Sequence, residues 1–127
     1  MKTIISTPKA PSAIGPYNQA TAFDKLIFTS GQIALDPITM EIVQGGVKEQ
    51  TFQVMENLKA VLEQAGSSFE NVLKTTCYLS DMDNFVAFNE VYGQYFNAET
   101  APARSTVAVK TLPKNVLVEV DTIAFKN

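Results

Sequence analysis

The sequence predicts a fold of the α+β class in which two helices pack on one face of a β-sheet. Three observations predict it. Apolar residues recur at helical spacing in two stretches, residues 47–65 and residues 84–97. β-branched and aromatic runs bounded by turn residues occupy most of the rest. The order along the chain is strands, helix, strand, helix, strands. With 127 residues, 46% of them hydrophobic, and no internal repeat or dividing linker, one domain spanning the chain is expected.

The elements follow in order. Three of the six prolines fall in STPKAPSAIGPY, residues 6–17. Each fixes its own φ and biases its predecessor to an extended form, so this segment reads as an ordered loop that leads into a strand and holds Tyr17 in place. YNQATAF and KLIFTSGQIAL predict strands near residues 17–22 and 26–31, with Asp24 and Lys25 as the turn. Asp36 and Pro37 predict another turn, followed by a short edge strand at residues 41–43. Phe52, Met55, Leu58, Leu62 and Ala65 then predict an amphipathic helix over residues 47–65, with Gly66 at its C-terminal cap. VLKTTCYLS, residues 72–80, is the next strand, and Ser80, Asp81 and Asp83 supply N-cap candidates for a helix over residues 84–97. Its apolar face is Phe85, Phe88, Val91, Tyr92, Tyr95 and Phe96. RSTVAVK and VLVEVDTIAF close the chain as two strands, joined by a turn over residues 112–115 that suits Pro113.

Two helices cover only one face of a sheet, yet several strands are apolar on both sides. A second copy of the chain is the expected cover. In RSTVAVK, strict alternation places Arg104, Thr106 and Ala108 on one face and Ser105, Val107 and Val109 on the other. The small-residue Arg104 face is the expected subunit interface.

Composition excludes several function classes. The formal charge is −3 and the cations are scattered, so no basic stripe is available to neutralise a nucleic-acid backbone. The N-terminus lacks the roughly 7–15 residue apolar core of a signal peptide, and no stretch approaches the ~18 apolar residues of a membrane span. A cytoplasmic protein with no membrane partner is expected. One cysteine, Cys77, permits no internal disulfide. Histidine is absent, which removes Ser-His-Asp and Cys-His mechanisms and imidazole-based zinc sites. No carboxylate spacing resembles a metal site, and neither metal nor cofactor is expected.

Against nine lysines the chain has one arginine, Arg104, at the head of a strand and preceded by small or rigid Ala101, Pro102 and Ala103. A guanidinium presents a planar fork of donors that matches a carboxylate with two parallel hydrogen bonds. The alternatives are a clamp for a small carboxylate and a plain salt bridge or surface charge. Glu119 sits between Val118 and Val120 in an apolar strand, where a carboxylate is costly unless paired, hydrogen-bonded or protonated. It is a candidate to orient or deprotonate water; a structural pair with a lysine is the alternative, and Asp121 shares its face. Tyr17 offers a hydroxyl to a ligand or a half-buried core ring. Ser30 and Gly31 end a strand where backbone N–H groups can approach an oxygen. Asn89 breaks the apolar run of the second helix. Cys77, with no activating base, reads as a buried thiol.

IGPY at residues 14–17, SGQIALDP at 30–37, KTTCYLSDMDNFVAFNEVY at 74–92, PARSTVAV at 102–109 and the closing VLVEVDTIA together resemble the Rid family, formerly YjgF, of reactive intermediate deaminases, and most closely its RidA branch. The resemblance implies a chorismate-mutase-like α+β fold with a mixed sheet, assembled as a homotrimer with sites at the clefts between subunits. It implies hydrolysis of 2-imino acids, such as 2-iminobutanoate and 2-iminopropanoate, to 2-keto acids and ammonia. Arg104 would bind the substrate carboxylate and Glu119 would position water, with Tyr17, Ser30, Gly31, Asn89 and Thr106 lining the cleft. Thr106 stands where many relatives have cysteine, Ala34 replaces a common proline, and Met40 replaces a glycine usual after Asp36-Pro37. An alternative is a carboxylate-binding regulatory trimer without turnover. A ribonuclease fits poorly with the acidic balance and the missing histidine.

Overall fold

The computed structural model describes residues 1–127. Six strands form one sheet: β1 (Thr3–Ile5), β2 (Ala20–Phe23), β3 (Leu26–Thr29), β4 (Val72–Leu79), β5 (Ala103–Ala108) and β6 (Val118–Phe125). The helices are α1 (Val47–Gln64) and α2 (Phe85–Tyr92). Across the sheet the order is β1-β2-β3-β6-β4-β5. β4 and β5 run parallel, joined through α2, and every other neighbouring pair is antiparallel, so the sheet is mixed.

Both helices lie on the same face. Cross-strand registers place Ile27, Val72, Cys77, Leu79, Val118, Val120 and Ala124 on that side. These residues pack in two adjoining clusters with Val54, Leu58, Val61 and Leu62 of α1 and with Phe88 and Tyr92 of α2. α1 ends in a Schellman arrangement, in which Ser67 N–H donates to Leu62 O at 2.9 Å and Gly66 N–H to Glu63 O at 3.1 Å. Gly66 takes the left-handed φ of 82° that this cap requires. The other face has no helix, and Leu26, Phe28, Val107 and Phe125 are exposed on it. The apolar two-sidedness expected of the strands is therefore present, with one side open.

Several boundaries differ from expectation. β1 lies inside the segment before the first expected strand, because Thr3 to Ile5 pair with Ala22 to Ala20. Residues 17–19 are loop: Gln19 turns its buried amide inward to Thr7 O, Ala10 O and Pro11 O, which closes the proline-rich segment. Residues 41–43 contribute only an isolated bridge, Leu35 with Ile42. Phe52 lies outside the buried stripe of α1, which includes Val54, Asn57 and Val61 instead. α2 stops at Tyr92, with Gly93 as its C-cap. Tyr95 and Phe96 still reach the core from the following turn. The side of β5 carrying Arg104 and Thr106, the expected subunit interface, turns toward α2. The register explains this: Arg104 and Thr106 pair with the buried Thr75 and Cys77, whereas Ser105 and Val107 pair with Thr76 and Tyr78 on the helix-free face.

Candidate functional site

Tyr17, Ser30, Gly31 and Glu119 come together at one cavity of about 610 Å3, which the apolar Ile14 and Ile33 and the cation Lys114 also line. Glu119 reaches it from the start of β6, on the helix-free face, opposite Tyr78. Five residues from Phe28 to Gln32 span the four from Val120 to Ile123, so one extra residue bulges out of the first segment between these pairs. Gly31 falls in that bulge. A Cβ there would collide with the Glu119 carboxylate, so only glycine admits this acid at this depth. Burial, and then the negative Asp121 nearby, push the Glu119 carboxyl above its ordinary range. Ser30 Oγ donates to Asn18 O, while Ser30 N–H donates to Gln19 O at 2.9 Å. Tyr17 is half-exposed, its hydroxyl accepting from Ile14 N–H at 3.3 Å.

Arg104, Asn89 and Thr106 are not at this cavity but on the opposite face of the sheet. Arg104 Nη1 donates to Asn89 Oδ1 at 2.7 Å. Its guanidinium carbon stands 4.8 Å from the Tyr92 ring centre and 5.4 Å from that of Phe85. Phe85, Asn89 and Tyr92 follow one another at helical spacing along α2, so one stripe of that helix supplies all three contacts. Tyr92 is itself anchored by a 2.8 Å hydrogen bond shared with the Thr75 hydroxyl. No carboxylate neutralises the arginine; the chain's one ion pair joins Lys48 to Glu90 at 2.6 Å. Rings and an amide orient the fork and leave donors unused. Thr106 follows on the same face, its buried Oγ1 without a hydrogen-bond partner. Beside it, burial pushes the Cys77 thiol up to about 11, the value of an unreactive side chain at neutral pH. No group of three or more His, Cys, Asp or Glu side chains is arranged to hold a metal ion, and no helix is long and apolar enough to cross a membrane.

Sequence reasoning missed Lys114 and the aromatic bracket of Arg104. Lys114 sits in a left-handed conformation, φ 55°, in the turn before β6, and nothing in its neighbours marks it as cavity-lining. Phe85 and Tyr92 were legible only as core residues; their spacing around Asn89, four residues before and three after, was the available signal.

Residues 7–126 match the family described as Endoribonuclease L-PSP. A RutC family protein of Synechocystis sp. is 57% identical over 95% of this chain and 94% of its own length. The 2-iminobutanoate/2-iminopropanoate deaminase of Mus musculus is 46% identical over 99% of this chain and 93% of its own. Among solved structures, YyfA of Yersinia pestis, of the conserved Rid protein family, superposes with a TM-score of 0.95 at 44% identity, covering 98% of this chain and 99% of that one. One sheet with two helices, these motifs and matches over almost the whole length agree, and the chain belongs to the Rid, or endoribonuclease L-PSP, family.

Proposed function

We propose that this protein hydrolyses 2-imino acids, 2-iminobutanoate and 2-iminopropanoate among them, to 2-keto acids and ammonia, working as a homotrimer with a site at each cleft between copies. The single observation that carries the reading is an oriented, unneutralised guanidinium in a chain whose cavity-lining carboxylate is displaced toward neutrality. Arg104 and Glu119 occupy opposite faces of one sheet, so a substrate touching both needs two copies. Head-to-tail contacts that close into a ring bring the arginine of one copy to the acid of the next. The exposed Phe28 and Val107, which a neighbouring copy would cover, and the mouse relative's name support this assembly and activity.

Arg104 holds the substrate carboxylate with two parallel hydrogen bonds, with Tyr17, Ser30, Gly31, Asn89 and Thr106 around the cleft. The iminium carbon is already electrophilic, so positioned water suffices as nucleophile. Water's oxygen bonds to that carbon as Glu119 accepts its proton, and the C=N pair returns to nitrogen, giving a carbinolamine. Glu119 then returns the proton to nitrogen, the C–N bond breaks, and the oxygen pair forms the keto group. The hydroxyl proton leaves with nitrogen as ammonium. A carboxyl with an elevated pKa suits both proton transfers.

The test couples the protein to a threonine dehydratase and follows 2-keto acid release. Arg104→Lys is expected to lower kcat/KM by about 10–100-fold, because an ammonium cannot grip bidentately. Glu119→Gln is expected to abolish acceleration. Equal clearance of 2-iminobutanoate by Glu119→Gln and the parent would overturn this mechanism, and clearance by neither above the uncatalysed rate would favour a carboxylate-binding trimer without turnover. A light-scattering mass equal to the monomer would reject the two-copy site. The family description also names an endoribonuclease; the chain offers no histidine and no basic stripe for that chemistry.

A further inference from the structure

Glu119 is not the only acid on the helix-free face. Asp121 projects from β6 two residues on, about 6–7 Å along the same strand. It accepts a hydrogen bond of 3.2 Å from the Tyr78 hydroxyl on β4. Tyr78 is also the cross-strand partner of Glu119. One phenol therefore abuts both carboxylates but hydrogen-bonds only Asp121.

We propose that Tyr78 and Asp121 are positioning residues for Glu119: the phenol holds Asp121 in its charged form, and that charge decides that a proton entering the pair settles on Glu119. This deepens the hydrolase reading and rests on it for the role of Glu119, but the proton distribution itself can be measured without turnover. Two carboxylates in one partly buried patch resist being charged together, and the proton goes to whichever has the poorer stabilisation of its anion. The Glu119 carboxyl accepts no hydrogen bond within the chain, whereas that of Asp121 accepts one from the phenol. Burial raises both carboxyls; the phenol then draws Asp121 back down, while the charge of Asp121 adds to the rise at Glu119. Tyr78 stays a donor because burial and the Asp121 charge raise its own hydroxyl.

Within one copy the other ionisable groups near this face leave the order unchanged, and in the proposed assembly Arg104 of the next copy acts with Lys114 against it. From β4, Lys74 is directed at Ser105, its Nζ donating to that Oγ at 3.3 Å, and it forms no ion pair with either acid. β5 presents Ala103, Ser105 and Val107 on this face and β3 presents Leu26 and Phe28, none of them ionisable. Lys114, from the turn before β6, and Tyr17, from the opposite wall, line the cavity of Glu119, and the Lys114 cation works against the proposed direction at that residue. The proposal requires Asp121 to outweigh both cations.

The experiment is a carbon-13 NMR titration of the Glu and Asp carboxyls in the assembled protein, with Asp121→Asn and Tyr78→Phe variants. In wild type the Glu119 midpoint is expected above that of Asp121. In Asp121→Asn the Glu119 midpoint falls by about half to one pH unit. In Tyr78→Phe the Asp121 midpoint rises while that of Glu119 falls, an opposed pair of shifts that loss of packing alone does not produce. A wild-type order with Asp121 highest overturns the proposal without any variant, and so does a Glu119 midpoint unmoved in a folded variant. Imino-acid turnover in the same samples is read separately. Absence of turnover with the expected midpoints sinks the hydrolase reading and leaves this one standing.

Discussion

Arg104 and Gly31 show how much of the chemistry depends on what a residue lacks. Arg104 lacks a carboxylate partner, so the fork held by Asn89, Phe85 and Tyr92 remains available to an anion. Gly31 lacks a side chain, and the space is occupied by the Glu119 carboxylate. Gly31→Ala therefore drives a methyl group into that acid. Under the proposed mechanism a displacement of about 1 Å costs on the order of 10²-fold in kcat/KM. The expected result is a folded variant with that loss, measured in the coupled assay, and a displaced Glu119 side chain in its crystal structure. Unchanged kinetics would show that the carboxylate position does not matter.

At the level of elements, turns carry the strain. Met40 is left-handed, φ 60°, in the loop where Asp36 Oδ1 accepts from Ile38 N–H at 2.8 Å and Thr39 N–H at 3.1 Å. A side chain there costs about 1–2 kcal/mol, partly offset by the backbone entropy a glycine would lose. Met40→Gly is expected to stabilise the protein by about 0.5–1 kcal/mol, read from denaturant midpoints at fixed protein concentration. The loop is remote from Arg104 in sequence and is not part of the cavity lining, so kcat should not change. Destabilisation would mean that the methionine side chain packs more strongly than its half-exposed position suggests. The helices show how legible elements were: α1 was readable to within a residue because its stripe and Gly66 agree, while α2 was read too long. Tyr95 and Phe96 continue the apolar period after the backbone has turned at Gly93, since side chains from a turn can fill the same core.

For the whole molecule, the proposed mechanism makes the helix-free face a link between stability and activity. Glu119 titrates above its unfolded range, so the folded state binds its proton more tightly than the unfolded state does. The resulting stabilisation is present below the unfolded pKa and is lost as pH rises through the folded pKa. Glu119→Gln removes that loss. The variant is expected to melt higher than wild type near neutral pH, with the difference vanishing at about pH 4, where both states of the wild type are largely protonated. A variant that melts lower at neutral pH would mean that the charged carboxylate is favourably partnered in the assembled protein. Under the proposed mechanism this is an acid held at a cost to folding, a common compromise in enzyme sites.

The sequence by itself determined the family, the order of helices and strands, the apolar character of both sheet faces, and the residue types available for chemistry, because these rest on local period and on residue identity. It also singled out Arg104 and Glu119, since a lone guanidinium and an acid in an apolar strand are conspicuous before folding. Only the tertiary structure decided that the two stand on opposite faces. Facing is set by strand register, and register depends on pairings such as Thr75 with Arg104 and Tyr78 with Glu119, which no local pattern specifies. The same applies to Lys114 and to the Gly31 bulge, whose positions follow from how distant segments close on one another.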